Sequence, residues 1–150
     1  MATIVFCEDD PTIQKLIGVA MRSTPHRVFI AKDGTQGLEL IRLHQPDLVC
    51  TDLSMPGLDG FELMDALKAD PSLAHVPIVL LTASVERGTV DEGGRHGAVA
   101  VLIKPFSTAD LRAQVELILT GAVAAAVAAL TGAVASATAT PPLATPAARP

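Results

Sequence analysis

Two spacings of apolar residues alternate along this chain. Short continuous runs occur at Thr3–Cys7, Arg27–Ala31, Leu48–Thr51, Val76–Thr82 and Val99–Ile103. Runs of that length without polar alternation predict strands covered on both faces, as in parallel sheets. Between them the apolar positions fall at helical spacing. Ile13, Leu16, Ile17, Ala20 and Met21 form one such face, Leu38 and Ile41 a second with Leu40 and His44 flanking it. Leu63, Met64 and Leu67 form a third, and Leu111, Val115 and Ile118 the last. The segment Val85–Gly97 is weaker. It holds Gly88, Gly93, Gly94 and Gly97, and each internal glycine costs a helix about 1 kcal/mol relative to alanine. A helix there is expected to be short or mobile.

Punctuation supports the same division. Asp10-Pro11, Asp33-Gly34 and Asp59 stand where N-caps belong. Ser107 with Asp110 has capping-box spacing, and Pro46-Asp47 and Asp70-Pro71 close the second and third helices. Strands alternating with helices predict an α/β fold with helices on both faces of the sheet. With right-handed crossovers, the expected architecture is a flavodoxin-like doubly wound five-stranded parallel sheet of order 2-1-3-4-5. Its switch point lies between strands 1 and 3.

That topology brings polar residues together. The first strand ends in Glu8-Asp9-Asp10, the third in Asp52, the fourth in Thr82 and the fifth in Lys104. Parallel strands place all these ends on one edge. Crowded carboxylates repel and raise one another's pKa, and a hard divalent cation relieves this. Mg²⁺ (magnesium) takes oxygen ligands and retains waters, so two carboxylates and a main-chain carbonyl suffice. A lysine and a hydroxyl beside the metal suit the equatorial oxygens of a phosphoryl group. Asp52 is then an in-line nucleophile able to form an acyl phosphate. For Asp10, N-cap duty competes with a part in the site's electrostatics.

Composition removes other classes. The formal charge is −5 and basic runs are missing, which argues against direct nucleic-acid binding. Cys7 and Cys50 lie in strand runs and read as buried, reduced thiols without metal spacing. His26, His44, His75 and His96 are scattered and read as surface residues, with no metal site expected. No phosphate-loop or dinucleotide glycine motif occurs. The N-terminus enters a strand without a basic leader, so the expected location is cytoplasmic. From Leu117 to Ala148 there is no charged residue. Alanine, Gly121, Gly132 and several Thr and Ser give this stretch a poor drive to insert, so no membrane span is expected. The expected division is a domain over 1–119 and an Ala/Thr/Pro-rich tail over 120–150. The last helix is expected to run on to about Leu130 before a disordered end. Val123, Val127 and Leu130 keep helical spacing, which leaves self-association through that helix open.

Four pieces of the chain, in order and at matching spacing, resemble the receiver domain of two-component response regulators. They are Cys7-Glu8-Asp9-Asp10-Pro11, Asp52 to Gly60, Leu80-Leu81-Thr82-Ala83 and Lys104-Pro105-Phe106. The resemblance covers about residues 2–119. It implies that Asp52 is the phosphoacceptor and Asp9 the main acidic Mg²⁺ ligand, with Glu8 acting through water. Ser54 would offer its main-chain carbonyl to the metal. Thr82 would be the switch hydroxyl, with small Ala83 beside it admitting the phosphoryl donor. Lys104 would pair with the phosphate, across a cis bond to Pro105. Ser54 and Ser84 fall where the family tunes phosphoryl lifetime. The donor would be a histidine kinase or phosphotransfer protein, and the output a contact with another protein. Three departures stand out: the acidic pair is Glu8-Asp9 in place of two aspartates, Val101 replaces the family's switching aromatic, and the fourth helix is rich in glycine.

On this reading the protein is a stand-alone signalling switch, not a turnover enzyme. It catalyses only its own phosphorylation and slow hydrolysis. Two alternatives remain at the level of sequence. One is a scaffold or adaptor that binds without phosphorylation. The other is an aspartate-nucleophile phosphatase, a class that needs a second Asp two residues after the nucleophile, where Ser54 stands here.

Overall fold

The computed structural model describes residues 1–83 and 87–120. Five strands, β1 (Thr3–Cys7), β2 (Arg27–Ala31), β3 (Leu48–Asp52), β4 (Ile78–Thr82) and β5 (Ala98–Ile103), pair in parallel in the order β2-β1-β3-β4-β5. They are joined by α1 (Pro11–Arg22), α2 (Gly34–His44), α3 (Gly60–Ala69) and α4 (Arg87–Arg95), and α5 (Thr108–Leu119) follows the last strand. This is the expected doubly wound order. The expected extension of the last helix toward Leu130 and the tail lie outside the described residues, as does Ser84.

Four of the helices, α1, α2, α3 and α5, start for a local reason. The Asp10 carboxylate accepts from the Thr12 N–H at 2.8 Å, and Asp33 accepts from Gln36 at 2.7 Å. Asp59 and Glu62 bond reciprocally at 2.8 and 3.0 Å, and Ser107 and Asp110 at 3.0 and 3.1 Å. β4 begins two residues later than its apolar run. Pro77 lacks an N–H and joins the ladder only as an acceptor, from Val49 at 3.1 Å. β5 begins at Ala98, one residue earlier than expected.

The strand interiors are largely apolar because both faces are covered. Ile4, Phe6, Leu48, Cys50, Val79 and Leu81 pack with residues of α1 and α5, including Ile17, Met21, Leu111 and Val115. Val5, Cys7, Val49, Ile78 and Leu80 point the other way, to Ile41 of α2 and Leu63, Met64 and Leu67 of α3. α2 buries Gly34, Gly37 and Ile41, with Leu38 and Leu40 only half-buried. The Leu38 face is thus rotated from expectation, because Gly37 lets the helix approach the Cys7 sulfur more closely than a Cβ would permit. Both cysteines are buried and free, and burial pushes the Cys7 thiol up to about 12. α4 is short, nine residues, as its glycines imply. Among the described residues no helix is long and apolar enough to cross a membrane.

One histidine departs from its expected surface role. The His26 side chain is 8% exposed. Its Nδ1 accepts from the Ala2 N–H at 3.0 Å, so the proton is placed on Nε2, which faces the Glu116 carboxylate at 2.7 Å. A single ring ties the start of β1, the turn before β2 and α5. Replacing His26 with Ala leaves the Ala2 N–H without its acceptor. It is expected to lower stability by about 1–2 kcal/mol, read from the midpoint of urea unfolding. An unchanged midpoint would show the clip to be idle.

Candidate functional site

β1 and β3 are neighbours, but the helices after them leave on opposite faces. This divergence opens a crevice at the carboxyl edge, where open α/β sheets bind ligands. Asp52 is the last residue of β3 and is 8% exposed. Glu8 follows β1 directly and is fully buried, its N–H donating to the Ala31 carbonyl at 2.9 Å. Asp9 comes next and is exposed. One carboxylate oxygen from each of Glu8, Asp9 and Asp52 lies within 4.8 Å of the other two.

The cation arrives from the far side of the sheet. β5 ends at Ile103, and the Lys104 N–H donates to the Thr82 carbonyl at 2.7 Å. This bond holds the ends of β4 and β5 together. The Lys104–Pro105 peptide is cis, as the resemblance implies. Lys104 Nζ then reaches Glu8 Oε1 at 2.7 Å and Asp52 Oδ2 at 3.2 Å. Thr82 is buried beside them, one residue beyond the Asp52–Leu81 register pair. Ser54 is exposed, two residues past Asp52.

Glu8 and Lys104 are both displaced from their ordinary values. Burial raises the Glu8 carboxyl above its ordinary value, although Lys104 and the Asp10 N–H, at 3.1 Å from Oε2, pull it down. The neighbouring Asp52 charge adds to the rise. Burial lowers Lys104, but the close Glu8 carboxylate and the charge of Asp52 outweigh that and leave it raised. A buried carboxylate next to a second carboxylate calls for more positive charge than one shared ammonium provides.

The donor set fits a hard cation. Three carboxylates offer only oxygen, with no thiolate or imidazole among them. Glu8 Oε1 faces Lys104 at ion-pair distance yet has no well-angled hydrogen-bond partner, so it retains acceptor capacity inside the site. Asp10 does not join the cluster; its side chain is committed to the α1 N-cap, which decides between its two readings.

Sequence reasoning missed the residue that shapes the loop after Asp52. A Cβ on Gly60 would stand 2.6 Å from the Asp52 carbonyl oxygen and 2.8 Å from Leu53 Cα. The Gly60 N–H donates to the Leu53 carbonyl at 2.7 Å. α3 therefore starts in direct backbone contact with the site, and only glycine permits it. The signal in the sequence was a glycine at the first position of a helix, immediately after its N-cap.

Comparison with known proteins agrees with this geometry. Residues 4–116 match the family described as the response regulator receiver domain. The DNA-binding response regulator MtrA of Mycolicibacterium smegmatis is 35% identical over 112 residues, 75% of this chain and 48% of MtrA. The transcriptional regulatory protein PdtaR of Mycobacterium tuberculosis is 37% identical over 115 residues, 76% of this chain and 55% of PdtaR. The chain thus spans about half the length of the curated relatives it matches. Among solved structures, the chemotaxis response regulator CheY4 of Vibrio cholerae aligns with a TM-score of 0.75 at 26% identity, over 79% of this chain and 99% of that one. A putative response regulator from Chloroflexus aurantiacus gives 0.75 at 29% identity, over 79% and 98%. With its sheet order, its carboxylate cluster and this match over most of its length, the chain belongs to the response regulator receiver domain family.

Proposed function

We propose that this protein is a phosphorylation-dependent switch whose acceptor is Asp52. The observation that carries the reading is the Lys104 ammonium set between buried Glu8 and Asp52, with Asp9 beside them. Glu8, Asp9 and Asp52, with the Ser54 main-chain carbonyl, would hold Mg²⁺. Bound there, the ion supplies neutralising charge for the phosphoryl oxygens.

The chain's own residues do the rest. An Asp52 carboxylate oxygen attacks phosphorus of a phosphohistidine on a histidine kinase or phosphotransfer protein. The new O–P bond forms as the P–N bond breaks, and the departing imidazole keeps the electron pair and takes up a proton. Lys104 moves from a bridge between carboxylates to a partner of the transferred group. The Thr82 hydroxyl, at the end of the adjacent strand, donates to it. The output is an altered affinity for a partner protein, in keeping with a net charge of −5. MtrA carries a DNA-binding name; for this chain an acidic domain favours protein contact over nucleic acid. The proposed setting is the cytoplasm, and the turnover chemistry is confined to Asp52 itself.

Labelling with acetyl phosphate, read as a mobility shift on phosphate-affinity gels, tests this. Label is expected with Mg²⁺ and is expected to vanish with a chelator. Equal labelling in both conditions would overturn the metal assignment.

A further inference from the structure

α4 is a poor helix by composition. Gly88, Gly93 and Gly94 lie within its nine residues, and three glycines cost roughly 3 kcal/mol of propensity relative to alanine. Its docking must therefore come from tertiary contacts. At its C-terminal end, Gly97 adopts φ 103° and sits against the Lys68 stem of α3, whose Nζ is bonded to the Ala74 carbonyl at 3.1 Å. His96, just before it, is better placed than a surface residue. Its ring stacks on Phe61 with centroids 4.5 Å apart and planes 20° from parallel. Nδ1 meets Asp65 of α3 at 2.6 Å, and Nε2 lies 3.6 Å from Glu92 of α4 itself.

Phe61 is the second residue of α3. The first is Gly60, which touches the Asp52 carbonyl and bonds Leu53. The path from the acceptor residue to α4 is thus one glycine and two stacked rings long. We propose that His96 is a positioning residue that couples the Asp52 loop to α4 through the start of α3. A movement of the loop displaces Gly60 and Phe61, and the stacked His96 carries that displacement to a helix too weak to hold its own position. This inference rests on Asp52 being the site of phosphoryl binding.

Hydrogen exchange on the full chain, with and without Mg²⁺ plus beryllofluoride as a phosphoryl stand-in, tests it. Segments 52–60 report the loop and segments 87–95 report α4. In the wild type both are expected to respond, α4 by about 5-fold or more, the lower end of typical coupling between sites. His96→Ala is expected to speed basal exchange in α4, keep the loop response and lose the α4 response. Asp65→Asn, a milder change, is expected to weaken the α4 response in the same direction. Unchanged exchange in β4 serves as the check that these variants fold. An α4 response that persists in both variants would overturn the relay. So would a wild-type loop response without one in α4. No loop response in the wild type would instead sink the phosphoryl reading, and the relay with it.

Discussion

Asp52→Asn is expected to reduce labelling by acetyl phosphate to background, with the fold intact. The amide matches the carboxylate in shape but has no anionic oxygen to attack phosphorus. Neither neighbouring carboxylate is placed to replace it. Glu8 is fully buried and its oxygens are turned to Lys104 and the Asp10 N–H. Asp9 is exposed, in the carboxylate cluster that would hold the cation. The same substitution removes the charge that helps raise Glu8, so the folded protein tolerates it electrostatically. Intact-mass measurement after labelling reads the result directly. A single phosphoryl adduct on the variant at the wild-type level would remove Asp52 from its role, whatever the metal dependence.

Lys104→Met is expected to give the largest loss of stability. It leaves the Glu8 carboxylate buried beside Asp52 with no cation, and breaking such a pair typically costs about 3 kcal/mol or more. The loss is pH-dependent in a definite direction. Burial already holds Glu8 above its ordinary value of 4.5, and removal of the ammonium raises it further. The folded state then keeps a proton that the unfolded chain has released, so stability falls as pH rises from about 4.5 through the raised folded value. In chelator, the variant is expected to approach wild type in acid and diverge from it toward neutral pH. Adding Glu8→Gln should restore most of the loss and flatten the profile. Denaturant unfolding at several pH values decides the matter; a loss that is constant with pH would mean that Lys104 contributes packing and not charge.

The site was largely legible because its geometry follows from topology. Strand ends in a parallel sheet share an edge, so Glu8, Asp9, Asp52, Thr82 and Lys104 were destined to meet once five strands were recognised. The Lys104–Pro105 geometry came from family resemblance alone. Asp10 was not decided, since a residue beside an N-cap and a carboxylate cluster could serve either. His26 was misread as a surface residue, and the stacking and ion pairs of half-exposed His96 were missed. Their partners, Glu116 and Asp65, lie 90 and 31 positions away, and no local pattern marks such pairs.

The sequence by itself determined the order of strands and helices, the caps that start them, and the edge on which the acids gather. Those depend on periodicity and on hydrogen bonds within a few residues. The tertiary structure alone decided that Glu8 is sealed from solvent, that Gly60 abuts the Asp52 carbonyl, and that His96 stacks on Phe61. These depend on how helices lie on the sheet, and therefore on the packing of the whole domain.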